Sequence, residues 1–359
     1  MMRKWTICAL AVLAMLSAVV TASAQELTEA LPPEAQELLD GLEEENAADG
    51  GLGAGLARLW EKGCESFLDI LRQSLRGVVL LLGAVLVCGV AEDCLQAAGS
   101  EVNYVSMAGA LVVTALTAGS VRGLMTLGME TIEQLDVFSK ALLPTLAAAV
   151  AASGGIVSAG VKQVATAFFA ELLITLIRNV FMPLVYVCAA AAAAEAMLPG
   201  HGLGRIGKGV SKAVTWVLTG ALILFTGYLA VSGALSGSSD ALTAQLTKNA
   251  ISTAVPVVGG IISDAAGSVL AGALVLKNAV GAFGMLAVLA ICLLPFLRLA
   301  VQYLLYKLTA FLAATVGSAP LVGLIDALGS AFGLVLGMAG CCSLLLLISI
   351  ASSVQVVVS

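Results

Sequence analysis

Ionisable side chains become sparse beyond Arg72, and those that interrupt apolar segments have the most chemistry to offer. They are Glu171, Arg178, Glu195, Asp264, Lys277, Arg298, Lys307 and Asp326. A charged group at membrane depth is costly to place and marks a proton relay, an ion path or a substrate contact by default. Most of these residues stand near the ends of apolar runs, where long side chains reach the interface. Glu171 is the deepest. Arg178 follows it by about two helical turns, so the two share a helix face without touching. Asp264 stands in a Gly- and Ser-rich stretch that interrupts an apolar run, and broken helices are where transporters place ion and substrate sites. Glu171 and Asp264 are therefore candidates to line a polar path. Helix capping or internal pairing is the plainer reading of both.

The chain carries no arrangement that points to catalysis. His201 is the sole histidine, and neither H-E-x-x-H nor G-x-S-x-G occurs. The run Gly202-Leu203-Gly204-Arg205-Ile206-Gly207-Lys208-Gly209 superficially resembles a phosphate loop. Gly209 stands where Ser or Thr must follow the lysine, and no strand precedes it. No catalytic, cofactor-binding or metal-binding residue is assigned, and the reading is not an enzyme. Cys8 leaves with an N-terminal leader; the other cysteines are mostly single residues in apolar runs and read as packing residues. Cys64 and Cys94 lie nearest to aqueous segments, so a disulfide between them is the alternative.

The elements that must position these groups are membrane helices. The chain has 359 residues, of which 60% are hydrophobic and 11% charged; soluble domains carry about a quarter charged residues. The net charge of -6 misleads, because acid is concentrated between Glu26 and Asp69. The exposed ends are acidic and only the loop Pro199–Lys212 is basic, which argues against nucleic-acid binding. Arg3 and Lys4, the apolar run Trp5–Val20 and Ala22-Ser23-Ala24 form a secretion signal, with a mature start at Gln25. The organisation that follows is a signal peptide (1–24), an exported acidic and amphipathic helical region (25–76), a multi-spanning domain (77–352) and a short tail (353–359). In the exported region Leu38, Leu39 and Leu42 give one weak apolar edge, and Pro32-Pro33 can open a helix. Leu56 to Arg76 reads as an amphipathic helix, lying on the outer leaflet or packed on the membrane domain or on a partner protein.

A spanning helix needs about 20 apolar residues. Candidates are 77–95, 102–121, 141–161, 164–180, 182–198, 214–235, 250–276, 280–297, 300–316 and 331–352, giving about 8 to 10 membrane-embedded helices, some broken or re-entrant. Unpaired backbone groups are too costly in lipid, so the fold class is all-α. Alternation every second residue is missing, which excludes a β-barrel. Arg205, Lys208 and Lys212 mark Pro199–Lys212 as the clearest cytoplasmic loop. An odd number of spans must then separate it from the exported N-terminal region. Arg122–Lys140 and Ser236–Lys248 fall outside on this count. Gly333-Leu334-Val335-Leu336-Gly337 fits close helix packing, with homo-oligomerisation as the alternative.

Two segments carry a resemblance. Lys248, Ser252, Pro256-Val257-Val258-Gly259, Ser263-Asp264-Ala265 and Leu276-Lys277-Asn278-Ala279-Val280-Gly281 resemble the hallmark of the stage III sporulation protein AE family. Arg178-Asn179-Val180-Phe181-Met182-Pro183-Leu184-Val185-Tyr186 is similar to the middle region of that family. The resemblance implies a polytopic subunit of a secretion-like complex joining mother cell and forespore in endospore-forming Firmicutes, in the mother-cell membrane around the forespore. Its implied partners are a separate ATPase, ring-forming subunits and membrane lipids. In physical terms, Pro256 and Gly259 interrupt a helix and Ser263 and Asp264 restart one. That break either shapes a kink or lines a substrate path. An independent secondary transporter and a structural assembly scaffold are the competing readings.

Overall fold

A chain that cannot bond its backbone to lipid must satisfy it within each segment, and the computed structural model follows that rule throughout. It describes residues 27–43, 52–97, 104–198, 202–254, 259–315 and 318–355; the expected signal peptide lies outside them. Every regular element among the described residues is helical. These are α1 (Pro33–Glu43), α2 (Leu52–Ala97), α3 (Tyr104–Ala152), α4 (Ile156–Leu176), a π-turn (Ile177–Phe181), α5 (Met182–Met197), α6 (Leu203–Ala254), α7 (Gly259–Ala313) and α8 (Ala319–Val354).

Six helical rods are long and apolar enough to cross a membrane, with α4, the π-turn and α5 counting as one. The apolar segments distinguished in sequence therefore join into fewer, longer helices. α3 alone has 49 residues, about 73 Å at 1.5 Å per residue, against a hydrocarbon core of about 30 Å. Arg122–Lys140, expected outside as a link between two spans, is instead the middle of α3. Its Leu, Met, Glu and Gln residues favour helix, and nothing in it forces a break. Leu56–Arg76 is likewise the first half of α2, which runs on to Ala97 without interruption. It packs along α7 through Leu59, Ile70 and Gly63, which rests against Leu293. Of the readings of that segment, packing on the membrane domain is the one observed. Three rods precede Pro199, the first of them containing Arg76.

α8 is the axis of the bundle. It is predominantly apolar and packs against α3, α4, α5, α6 and α7. Leu324, Phe332, Val335, Met338, Cys342, Leu346 and Ile350 are all buried along it. Two glycines set how near the neighbours come. A Cβ on Gly128 of α3 would overlap Val335, and one on Gly281 of α7 would overlap Val354. α1 lies on α7 and α2. A buried stripe runs from Leu27 and Leu31 into α1 at Ala35 and Leu39; Leu39 belongs to the apolar edge expected here, and the side chains of Leu38 and Leu42 fall outside the described residues. The stripe runs through Pro32-Pro33 because the Gln36 amide donates to the carbonyls of Thr28 (2.6 Å) and Leu31 (2.9 Å), closing the turn where proline removes donors.

Gly128→Leu places side-chain volume where Val335 already sits, and overpacking costs about 1–3 kcal/mol. Its thermal unfolding in detergent should fall by several degrees. Gly123→Ala, whose Cβ meets open space, should hold or raise stability by up to about 1 kcal/mol. Equal melting of the two variants would show that the α3–α8 approach is not tight.

Candidate functional site: ionisable groups in the membrane domain

Pro183 determines where the first group of charges sits. It has no N–H to offer the carbonyl of Asn179, and its ring crowds that carbonyl. The chain widens into the π-turn Ile177–Phe181, closed by the Met182 N–H donating to the Ile177 carbonyl. π-turns inside α-helices are frequent at functional sites. Arg178 lies in this turn, and its guanidinium donates to the Glu133 carboxylate of α3 at 2.7 Å. Two turns away, the Lys140 ammonium of α3 bonds Asp136 at 2.7 Å and lies 3.8 Å from Glu171 of α4. Glu171 and Arg178 share a face, as their spacing requires, but each is paired across to α3 rather than to the other.

These four side chains form a two-by-two ladder. At one level α3 is negative and its neighbour positive; at the next the signs reverse. All are exposed on the bundle surface: Arg178 61%, Glu133 49%, Lys140 62% and Glu171 65%. Exposed apolar side chains flank the ladder on both sides, Val164 and Phe168 toward one end and Tyr186 and Val187 toward the other. A single charge at the centre of a spanning helix costs about 2.5–3.5 kcal/mol on insertion scales. If the bilayer covers the ladder, that cost applies to several groups. If the bilayer covers one flank only, the other flank leaves apolar surface in water. Either placement has a cost, in charge under lipid or in apolar surface in water.

A second group is buried where α8 ends. Lys162 is 5% exposed and Lys277 1% exposed, within electrostatic reach of one another. The Lys162 ammonium donates to the Ser352 carbonyl at 2.5 Å. That carbonyl belongs to the last turn of α8, whose carbonyls have no intrahelical partner. A cation there also meets the negative end of the helix dipole. Thr166 and Ser349 share a hydroxyl hydrogen bond at 2.5 Å beside it. Lys277 is thus packed inside the bundle and does not reach the interface, while Asn278 beside it is exposed.

At the opposite end the Lys307 ammonium clamps α7 to α8. It bonds the Asp326 carboxylate at 2.6 Å and the Ser330 hydroxyl at 2.8 Å. Between α2, α3 and α7 lies a cavity of about 60 Å³ lined in part by Ser74, Ser120, Gln302 and Tyr306, room for about two waters. Gln302 donates to Ser74 at 3.2 Å across it.

Gly259, Ser263 and Asp264 lie in the first turns of α7; the side chains of Ser263 and Asp264, and all of Pro256, fall outside the described residues. The Cys64–Cys94 disulfide is ruled out. Both thiols are free and exposed on one helix, α2, some 45 Å apart along its axis by the rise per residue (~1.5 Å). Sequence reasoning missed Glu133, Asp136, Lys140 and Lys162. The available signal was spacing: Glu133 to Lys140 repeats the seven-residue interval of Glu171 to Arg178 in the same acid-then-base order, which two antiparallel helices set opposite one another.

Lys307→Met leaves Asp326 without its cation and should destabilise by about 1 kcal/mol, small because both groups are partly solvated. Adding Asp326→Leu should recover most of that loss. Thermal melts of the two single variants, the double variant and the parent form a cycle, and strict additivity would dissolve the clamp.

The geometry so far is that of a polytopic bundle with few charges, in which Glu133, Asp136, Lys140, Glu171, Arg178, Lys307 and Asp326 form ion pairs. No solved structure matches the chain. A curated relative, Stage III sporulation protein AE of Bacillus subtilis (strain 168), is 28% identical over 231 residues, covering 64% of this chain and 57% of the relative. The chain thus spans little more than half the length of that relative. The family described as Stage III sporulation protein AE matches residues 44–357, all of the rods α2 to α8. This multi-pass membrane protein belongs to the Stage III sporulation protein AE family.

Proposed function

We propose that this protein is the large membrane subunit of a sporulation-specific channel or secretion-like complex linking mother cell and forespore, and that late forespore development depends on it. The observation that carries the reading is the family match over residues 44–357, on a chain with six helical rods long and apolar enough to cross a membrane. Energy would come from a separate ATPase, and ring-forming subunits would complete the conduit. The protein itself is not an enzyme. Its place is the mother-cell membrane around the forespore, with the acidic N-terminal region exported after signal-peptide removal. The basic segment Pro199–Lys212 then faces the mother-cell cytoplasm, which the three rods before it permit.

Glu171, Arg178, Lys277 and Asn278, with the helix break at Pro256, Gly259, Ser263 and Asp264, are the proposed polar-path and break residues. Lys140 and Glu133 join them through their ion pairs. An independent transporter would need a path through a single bundle. The axis of this one is filled by α8, which favours a subunit over an autonomous carrier.

The test is capture of the tagged chain from gently solubilised membranes of a sporulating host. An ATPase and ring-forming sporulation proteins should co-purify in fixed ratio. Recovery of the chain by itself across several detergents, with solute flux in liposomes, would replace the subunit reading by the transporter reading. Glu171→Gln with Asp264→Asn should lower spore yield at least tenfold with the protein still present in the membrane; normal yield would remove the polar path.

A further inference from the structure

The ladder between α3 and α4 has a symmetry that its ion pairs alone do not require. Seen from outside the bundle, α3 carries Glu133 at one level and Lys140 at the next. The neighbouring rod carries Arg178 and Glu171 at the same two levels. Signs therefore alternate along each helix and across the pair. Identical chains inserted in one membrane share an orientation, so two copies meeting face to face are related by a two-fold axis along the bundle. That rotation brings α3 of one copy opposite the α4–α5 rod of the other, at unchanged height. Glu133 then faces the second copy's position 178, and Lys140 faces its position 171. Each of these four charges meets its opposite, while Asp136, largely covered, keeps its bond to Lys140 within α3.

We propose that this face is an isologous interface with a second copy of the same chain, centred on Glu133, Lys140, Glu171 and Arg178. Each charge is then shared between an intramolecular partner and an intermolecular one. Val137 and Thr175, both exposed between the two levels, fill the space between the rows. The pairing also covers the apolar flanks at Val164 and Phe168, which otherwise lie bare beside charged groups. The complementarity follows from each row being an ion pair within one chain, since opposite signs on α3 and its neighbour stay opposite under the two-fold. With both acids on α3 and both bases on α4 every row still pairs under the two-fold, but with like signs in one row it fails. The alternating pattern has the further feature that it penalises a shift by one level, so it fixes register as well as partner. The inference rests on the membrane placement of the rods and not on the channel reading.

The experiment uses two differently tagged full-length copies, co-expressed and recovered from gently solubilised membranes. Wild-type chains should recover one another. Glu133→Arg copies present two positive groups at that level and should recover each other at least tenfold less. Arg178→Glu copies present two negative groups and should also fail to self-associate. A Glu133→Arg copy mixed with an Arg178→Glu copy should associate near the wild-type level, because each row then pairs only between chains. Helicity and melting of each variant are measured alongside. Should the reversed charges unfold the chain, Glu133→Gln and Arg178→Gln replace them, with reduced self-recovery expected at unchanged helicity. Wild-type chains that do not recover one another would overturn the proposal. So would single variants that self-associate like wild type, or folded reversed-charge variants that fail to complement.

Discussion

A stripe of large apolar side chains has to be covered closely, and α8 presents one along its whole length. Leu324, Phe332, Val335, Met338, Leu346 and Ile350 recur on one side of the helix and are all buried. α3 to α7 pack against α8. Lipid would accept the side chains as readily as protein does, so their apolar character alone does not drive the assembly. Close packing does: Gly128 and Gly281 let α3 and α7 approach to side-chain contact, and dispersion gains accumulate over many such contacts. The polar clamps then fix each end. Lys307 joins α7 to Asp326 and Ser330 at one end of α8, and Lys162 closes its last turn at the other.

Charge in this bundle is placed by helix position. Cations sit where backbone carbonyls run out or where a carboxylate is at hand, as with Lys162 at Ser352 and Lys307 at Asp326. The α3–α4 ladder is different in kind, because its members are paired and still exposed. A neutral pair in a non-polar setting retains a field of short range, which a complementary surface can sense and hydrocarbon cannot satisfy. The π-turn belongs to the same arrangement. Pro183 obliges the chain to widen, and Arg178 within the widened turn reaches α3.

How much of this was legible before folding depended on the kind of signal. Hydropathy carries the all-helical membrane class, since long apolar runs admit no other backbone solution. The residues Lys277-Asn278 and Arg178 through Tyr186 carried the family. Helix length was not legible, because a window average falls at Glu130, Glu133 and Asp136 although the backbone there has every reason to continue as helix. Losing that continuity hid Glu133 and Lys140 as partners of Arg178 and Glu171. Lys162 was hidden for a related reason: it lies between two apolar runs, where a lysine looks like a boundary. The stripe through Leu27, Leu31, Ala35 and Leu39 crosses two prolines, and local rules end a helix there; a glutamine amide holds it together instead.

The order of synthesis gives the central position of α8 a kinetic meaning. It is the last of the described helices along the chain, yet the earlier rods are arranged around it. At typical translation rates of about 5–20 residues per second, α3 enters the membrane some ten seconds or more before Val335 exists to fill the space at Gly128. During that interval the early helices have no interior to pack on, and α2 lacks the α7 surface that Gly63 rests against. The bundle therefore closes late and from its C-terminal side. A chain truncated before α8 would hold its earlier helices around an empty axis, a state that membrane quality-control proteases can distinguish from the finished protein.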